Sequence, residues 1–568
     1  MASGDGRGGD QLGHSPEQDP RTDRNGTTSR VTKSVRGPPV RVPAVFRTGR
    51  GRALVNVEIV VVAALGVAVR LRQFLSGRSL WVDEALVAND LAELSIVEAL
   101  TQRSPRNQLA PPGFWVVSHL ADSISSDEMM LRLFPFLAGV MLVVITVAYA
   151  ARRIERRSAR LLLVGVIALS PSLIYYSAEV KQYGVEALLG MVTIVAVAER
   201  KALGRGGAVV LAMVLLAFSL PGLLILPLLG SLWFAIEVRE RGFHGAIRYL
   251  AAPGAAIFGM WALSLAWAQL AKPGIMQGFW ADAFAPLPTG ADGIGWWVRT
   301  IVGLSHLTLS NIGVPLHTED PAWLAVGAQI VALALWGLVV AGIWRVASIV
   351  LRAGSRGRTD SPAISNWLAV VPVAVVIGVA FAAASVLELY PFRGRLILVL
   401  IPLIAVAAAH GLDVMLDPRP FPKLLPRGVA QTIVGAAALV VGLAAGTAAL
   451  RLLVDPYDRW DVEPAIEWIA DNAGEDDAVV AYCLSDQQLL YYRAHLDETG
   501  LVRERCLTSL APEAVLERAG DRRMWFLHGH IRDDRDAVEL IATHPSVVDT
   551  FRSESVIAVL LEPDSVDR

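Results

Sequence analysis

Only two cysteines, Cys483 and Cys506, occur in 568 residues. A fold framed by several disulfides is therefore excluded. Lysine is scarce beside arginine, and the formal net charge is -2, so bulk charge points neither to nucleic acid nor to an acidic partner. The first fifty or so residues lack the apolar h-region of a secretory signal; they are rich in Gly, Arg, Ser, Pro and Asp. That composition reads as a disordered basic arm over residues 1–52. No Gly-rich phosphate loop stands between a strand and a helix, so a nucleotide donor is not indicated. An inverted repeat with charges near mid-membrane, the mark of many transporters, is also missing.

What the chain has instead is apolar length. It is 54% hydrophobic, with a mean hydropathy of +0.48. A soluble globular protein of this size is rarely so apolar. The runs fall near 53–71, 131–151, 159–177, 185–199, 207–220, 222–238, 246–268, 322–344, 366–387, 395–415 and 429–452. Most are near the length of roughly 20 residues that crosses a bilayer, which gives about eleven spans. Ser219-Leu220-Pro221-Gly222 separates the runs at 207–220 and 222–238, and one bent span is the alternative there.

Charge checks the count. Arg152, Arg153, Arg156, Arg157 and Arg160 follow the second run, Arg200, Lys201 and Arg205 the fourth, and Arg239 and Arg241 the sixth. Arg345, Arg352, Arg356 and Arg358 follow the eighth, and Arg419, Lys423 and Arg427 the tenth. An odd count puts all of these beside the basic N-terminal arm, as the positive-inside rule requires. The expectation is a cytoplasmic N-terminus in a bacterial inner membrane. Residues 53–453 then form a transmembrane domain, with outer loops at 72–130 and 269–321. Residues 454–568 switch to short mixed runs and read as a small extracytoplasmic α/β domain. Its predicted helices lie near 462–472, 486–494 and 533–543, and its strands near 478–483, 523–528, 547–551 and 555–561. Cys483 and Cys506 fall in it, as a disulfide candidate or as two small buried hydrophobes.

Three polar clusters end up on the outer face. The first is Asp83-Glu84, at the start of an amphipathic helix from Glu84 to Leu100. Asp83 is a natural N-cap for that helix, and a helix N-terminus also keeps a carboxylate ionised, as a general base must be. Pro111-Pro112-Gly113 breaks the loop, and Phe114–Ile124 reads as a second interfacial helix anchored by Trp115. The second cluster is Glu179-Val180-Lys181-Gln182-Tyr183. If it is helical, Glu179 and Tyr183 share a face and Lys181 points elsewhere. The third is Arg393-Gly394-Arg395, where an extended turn aims both cations to one side, suited to a phosphate. Arg132 is a fourth cation at that level. His306 and His317, in the second outer loop, are weak metal candidates. A base, acidic groups and cations on one face fit displacement at a sugar carbon with a lipid phosphate leaving.

The order of motifs resembles glycosyltransferase family 39-like proteins, bacterial relatives of protein O-mannosyltransferases and aminoarabinose transferases. The residues that carry it are Leu80-Trp81-Val82-Asp83-Glu84, Pro111-Pro112-Gly113-Phe114 and Leu131-Arg132-Leu133-Phe134-Pro135. Tyr175-Tyr176-Ser177-Ala178-Glu179-Val180-Lys181-Gln182-Tyr183 and Tyr390-Pro391-Phe392-Arg393-Gly394-Arg395 complete it, over about residues 50–480. The resemblance implies a GT-C membrane fold and an inverting transfer from a polyprenyl-phosphate-linked sugar, mannose or similar, on the outer face. It implies Asp83 and Glu84 as catalytic, and Arg132, Lys181, Arg393 and Arg395 as ligands of the donor phosphate. Glu179, Tyr183 and Trp81 become substrate-binding candidates, and a divalent cation a candidate cofactor. Ala110 stands where many relatives carry His before the paired prolines, which weakens a metal role there. The acceptor hydroxyl belongs to a protein, lipid or glycan. The competing classes are a lipid or polysaccharide transporter and a non-catalytic subunit of cell-envelope glycan assembly.

Overall fold

The computed structural model describes residues 56–309, 322–353, 361–417, 427–457 and 460–562, the last stretch without 498–499, 521, 530, 532–533 and 554. The basic arm lies outside these residues. Helix α1 (Val57–Phe74) comes first. The first loop holds α2 (Val82–Glu93), α3 (Ile96–Thr101) and α4 (Pro112–Asp122). The single helix expected from Glu84 to Leu100 is thus two. Ser95 divides them: its hydroxyl accepts from Glu98 N while the Glu98 carboxylate accepts from Ser95 N, a capping box that starts α3 afresh. Trp115 is not an interface anchor. It is buried among Leu80, Leu91, Phe114 and Val180, because these short helices cover one another's apolar faces.

Helix α5 (Glu128–Arg153) is followed by α6 (Arg157–Leu169), α7 (Pro171–Tyr175) and a 3-10 turn over Tyr176–Ala178. Ser170-Pro171 bends the α6–α7 pair by 49°. Proline has no N–H to give, so carbonyls one turn back lose their partners. Arg70 of α1 answers them: its guanidinium donates to Ala168 O at 2.5 Å and Ile167 O at 2.9 Å. Within a bilayer the protein itself must supply such bonds. The bent pair hands the chain to the 179–182 segment before α8 (Tyr183–Ala198) begins.

Helices α9 (Arg200–Phe218) and α10 (Gly222–Ala271) meet at Ser219-Leu220-Pro221, two elements as the sequence suggests. Gly242, at φ 73°, breaks α10. Trp261 Nε1 reaches Leu223 O at 2.9 Å. On one straight helix those residues would stand about 57 Å apart, so α10 doubles back as two antiparallel rods. The turn α11 (Met276–Phe279) and α12 (Gly290–Leu309) lead to α13 (Ala322–Ala353), α14 (Pro362–Val386), α15 (Leu400–Met415) and α16 (Arg427–Val454). Every residue of α15 is buried, so this helix is the axis of the bundle. Among the described residues, α5, α9, α10, α14 and α16 are long and apolar enough to cross a membrane; the bent α6–α7 pair makes a sixth. Shorter apolar stretches lie in α8, α13 and α15. The molecule is thus a helical membrane protein with several spans, and these lengths alone do not number eleven.

The C-terminal residues form a five-stranded sheet of order β2-β1-β3-β5-β4. After α17 (Glu463–Asn472) the chain runs β1 (Ala478–Ala481), α18 (Asp486–Tyr491), α19 (Ala494–Asp497), β2 (Val502–Arg503) and α20 (Pro512–Ala519). It continues through β3 (Met524–His528), α21 (Arg535–Ala542), β4 (Val547–Arg552) and β5 (Ile557–Leu561). Strands β1, β3 and β5 are wholly buried, with apolar clusters on both faces. The sequence pattern misses β2 and α20. The first is two exposed edge residues, and the second is a short helix with little apolar content. Parallel pairing of β1 and β2 brings the chain ends beyond them together, and there Cys483 and Cys506 form a disulfide.

Candidate active site

Helix α2 takes Trp81 as its N-cap, so Asp83 sits in the first turn and not at the cap position. Its carboxylate pairs with the guanidinium of Arg395, from the turn before α15. Both side chains stay partly accessible, at 19% and 17%. Arg395 lies over the rings of Trp81 at 5.1 Å and Tyr183 at 5.7 Å. Its Nε is buried and has no hydrogen-bond partner among the described residues. Such a charged donor is costly to leave unmade, so it favours an incoming anion.

Lys181 completes the cationic side. The 179–182 segment is a tight turn, not a helix, with Lys181 N on Glu179 O at 2.7 Å. Helical spacing does not apply, so Lys181 is not turned away from its neighbours. Its Nζ donates to Gln108 Oε1 at 2.5 Å. Burial pulls the Lys181 pKa below its ordinary value, against the pull of Asp83; Arg395 adds to the lowering.

Glu84 does something different from Asp83. It is fully buried. Its Oε1 accepts from Arg132 Nε and Val180 N, both at 2.8 Å. Its Oε2 accepts from Arg132 Nη2 at 2.8 Å, Arg78 Nη1 at 3.1 Å and Trp81 N at 3.3 Å. Burial alone would raise its pKa, but Arg132 and Arg78 outweigh it and hold the carboxyl well below the usual range. Arg132 gives one N–H of Nη1 and one of Nη2 to the carbonyls of Arg78 and Ser79, so four of its five N–H groups are bonded. Two expectations are therefore corrected. Glu84 has no lone pair left for a substrate proton, and Arg132 has no fork left for a phosphate; together they lock the first loop to α5.

Arg393 is also corrected. Gly394 adopts φ 52°, a left-handed turn, and starts a 3-10 helix that swings Arg395 inward while Arg393 stays exposed. The two arginines do not point to one side. Trp81, Glu179 and Tyr183 do gather at the site, but as a buried floor. Trp81 Nε1 donates to Glu179 Oε1 at 2.9 Å. His306 falls in α12, and its side chain and His317 lie outside what the structure describes. Among the described residues no three His, Cys, Asp or Glu side chains converge.

Several residues at the site were not singled out from sequence. Arg78 lies two residues before the first motif, and a buried carboxylate that needs two cations is the signal that could have found it. Gln108, which positions Lys181, and Trp460, edge-on to Trp81 at 5.6 Å, carry no such signal.

No family model matches the chain, and no curated protein does. Among solved structures it is similar to ArnT from Cupriavidus metallidurans bound to undecaprenyl phosphate, with a TM-score of 0.46 and 13% identity over 90% of this chain and 98% of that chain. The apo state of that protein gives a TM-score of 0.37 and 14% identity, over 89% of this chain and 97% of that one. Both TM-scores lie below 0.5, so the site's own residues carry the functional reading.

Proposed function

We propose that the protein is an integral-membrane inverting glycosyltransferase that moves a sugar from a polyprenyl-phosphate donor to an acceptor hydroxyl on the outer face. One observation carries this: motifs more than 300 residues apart place the Asp83 carboxylate on the partly unsatisfied guanidinium of Arg395. Asp83 takes the proton of the acceptor hydroxyl. The oxygen attacks the anomeric carbon from the side opposite the phosphate, and the bond from that carbon to the phosphate oxygen breaks. Arg395 and Lys181 stabilise the departing lipid phosphate, so no separate acid is required. Asp83 pairs with Arg395, and the donor phosphate would take over that cation and release the carboxylate as the base. Glu84, Arg132 and Arg78 hold the loop and touch no substrate.

The positive-inside pattern supports an outer site, with the N-terminal arm in the cytoplasm and the C-terminal sheet outside. Mannose and pentoses are the donor sugars to test first. Asp83→Asn should abolish transfer from polyprenyl-phosphate mannose and arabinose donors, a loss of at least about a hundredfold in kcat, in protein that elutes as the parent does. Full transfer by that variant would remove Asp83 from the mechanism. Lipid flipping by the purified protein in liposomes without sugar transfer would favour a transporter.

A further inference from the structure

Strand β1 pairs in parallel with β2 on one side and β3 on the other, so the β1–β3 boundary is a topological switch point. In open α/β sheets the crevice beyond the carboxyl ends of such strands is where small ligands bind. Here it is filled by protein. Gly529, just past β3, donates N–H to Ser485 Oγ at 2.8 Å, and a Cβ on Gly529 would fall 2.8 Å from Val462. Gln488 of α18 lies in the crevice, its Oε1 3.4 Å from that same Cβ position, and its Nε2 donates to Leu80 O at 2.8 Å and Trp460 O at 3.1 Å.

Leu80 is held from its other end as well. Its N–H donates to the Tyr492 hydroxyl at 2.7 Å, which in turn donates to Glu128 Oε1 at 2.7 Å. Asp461 Oδ1 accepts both the N–H of Ser79 at 2.9 Å and its hydroxyl at 2.5 Å. The Ser79 hydroxyl accepts Val462 N at 2.8 Å. Both backbone polar groups of Leu80 and the N–H of Ser79 are thus bonded to residues of the C-terminal part, within four positions of Asp83. Trp460, at φ 56°, sets its ring against Trp81, the ring beneath Arg395.

We infer that the C-terminal α/β domain positions the base: its switch-point crevice takes the Ser79–Leu80 segment of the first loop in the place of a free ligand, and so fixes where α2 begins and where Asp83 meets Arg395. This deepens the transferase reading and rests on Asp83 as the base. Tyr492, Gln488 and Asp461 are then positioning residues that touch no substrate.

The test uses the full chain in detergent micelles, with Tyr492→Phe, Gln488→Leu and the pair Asp461→Ala and Asp461→Asn. Hydrogen exchange is the first readout. Amides of residues 79–84 should exchange about tenfold faster in Tyr492→Phe and Gln488→Leu, while β3 and β5 keep their protection. Turnover with polyprenyl-phosphate mannose or arabinose is the second. The kcat should fall about tenfold with the donor KM within roughly twofold, because ground-state binding is untouched. Asp461→Asn keeps the acceptor oxygen and should recover most of what Asp461→Ala loses. Unchanged exchange at 79–84, or equal loss of protection in β3 and β5, would overturn the proposal. An active Asp83→Asn alongside faster exchange would instead sink the assignment of the base and leave the positioning intact.

Discussion

Neighbouring side chains on a helix diverge by about 100°. That angle separates the fates of Asp83 and Glu84. One emerges beside Arg395, and the other turns inward between Arg132 and Arg78. A buried carboxylate with two guanidinium partners is expensive to break. Glu84→Gln should therefore lower stability by roughly 3–5 kcal/mol, read as a large drop in the thermal midpoint of the purified protein. Asp83→Asn should leave that midpoint nearly unchanged, because its pair is partly exposed. Lys181 sets the other limb of activity. Its pKa lies below the ordinary lysine value, so it loses its charge at a lower pH than an exposed lysine would. Turnover should therefore fall on the alkaline side, and Lys181→Arg, which stays charged, should move that fall to higher pH in a pH–rate profile. The acidic pair was legible from sequence because charge beside an apolar run is conspicuous. Which of the two could act was not, since Arg132, the partner of Glu84, and Arg395, the partner of Asp83, lie 48 and 312 residues away.

The 179–182 turn reaches the site through the bend between α6 and α7. The reading of 159–177 as one apolar run passes over Ser170-Pro171, where the chain bends by 49°. Nor does it show Arg70, which sits in an apolar run and is buried with its donors on the freed carbonyls of Ile167 and Ala168. Arg70→Leu should strand those carbonyls at roughly 1–3 kcal/mol each. The expected result is a lower thermal midpoint together with reduced transfer, because the turn carrying Lys181 loses its support. Wild-type stability in that variant would show that the bend is held by packing alone. Element types and most positions were readable from periodicity. The errors came where a local signal competed with the pattern: Ser95 restarting a helix, and Gly394 turning Arg395 away from Arg393.

At the scale of the molecule, an acidic seam joins the C-terminal domain to the first loop. Glu463 is raised to about 7, chiefly by burial and then by Glu128, Glu467 and Asp461, with Arg132 opposing; His495 lies 3.4 Å away. A raised carboxyl binds its proton more tightly in the folded state, so its favourable contribution is present at low pH and is lost as pH rises from about 4.5 towards 7. Glu463→Gln should flatten that dependence and show a higher thermal midpoint than the parent at pH 8, with the gap closing near pH 5. No gap at pH 8 would mean that the seam relaxes by taking up water. The sequence by itself determined that this is a many-span helical membrane protein with a small α/β domain, and that polar motifs cluster at the ends of spans. Hydropathy, helix period and charge are local properties, and a bilayer enforces them along the chain. Only the tertiary structure decided that Asp83 pairs with Arg395, that Glu84 and Arg132 are consumed as a lock, and that the crevice of the C-terminal sheet grips Leu80. Those outcomes depend on which partner a desolvated charge or backbone group finds, and partners far apart in sequence leave no periodic trace.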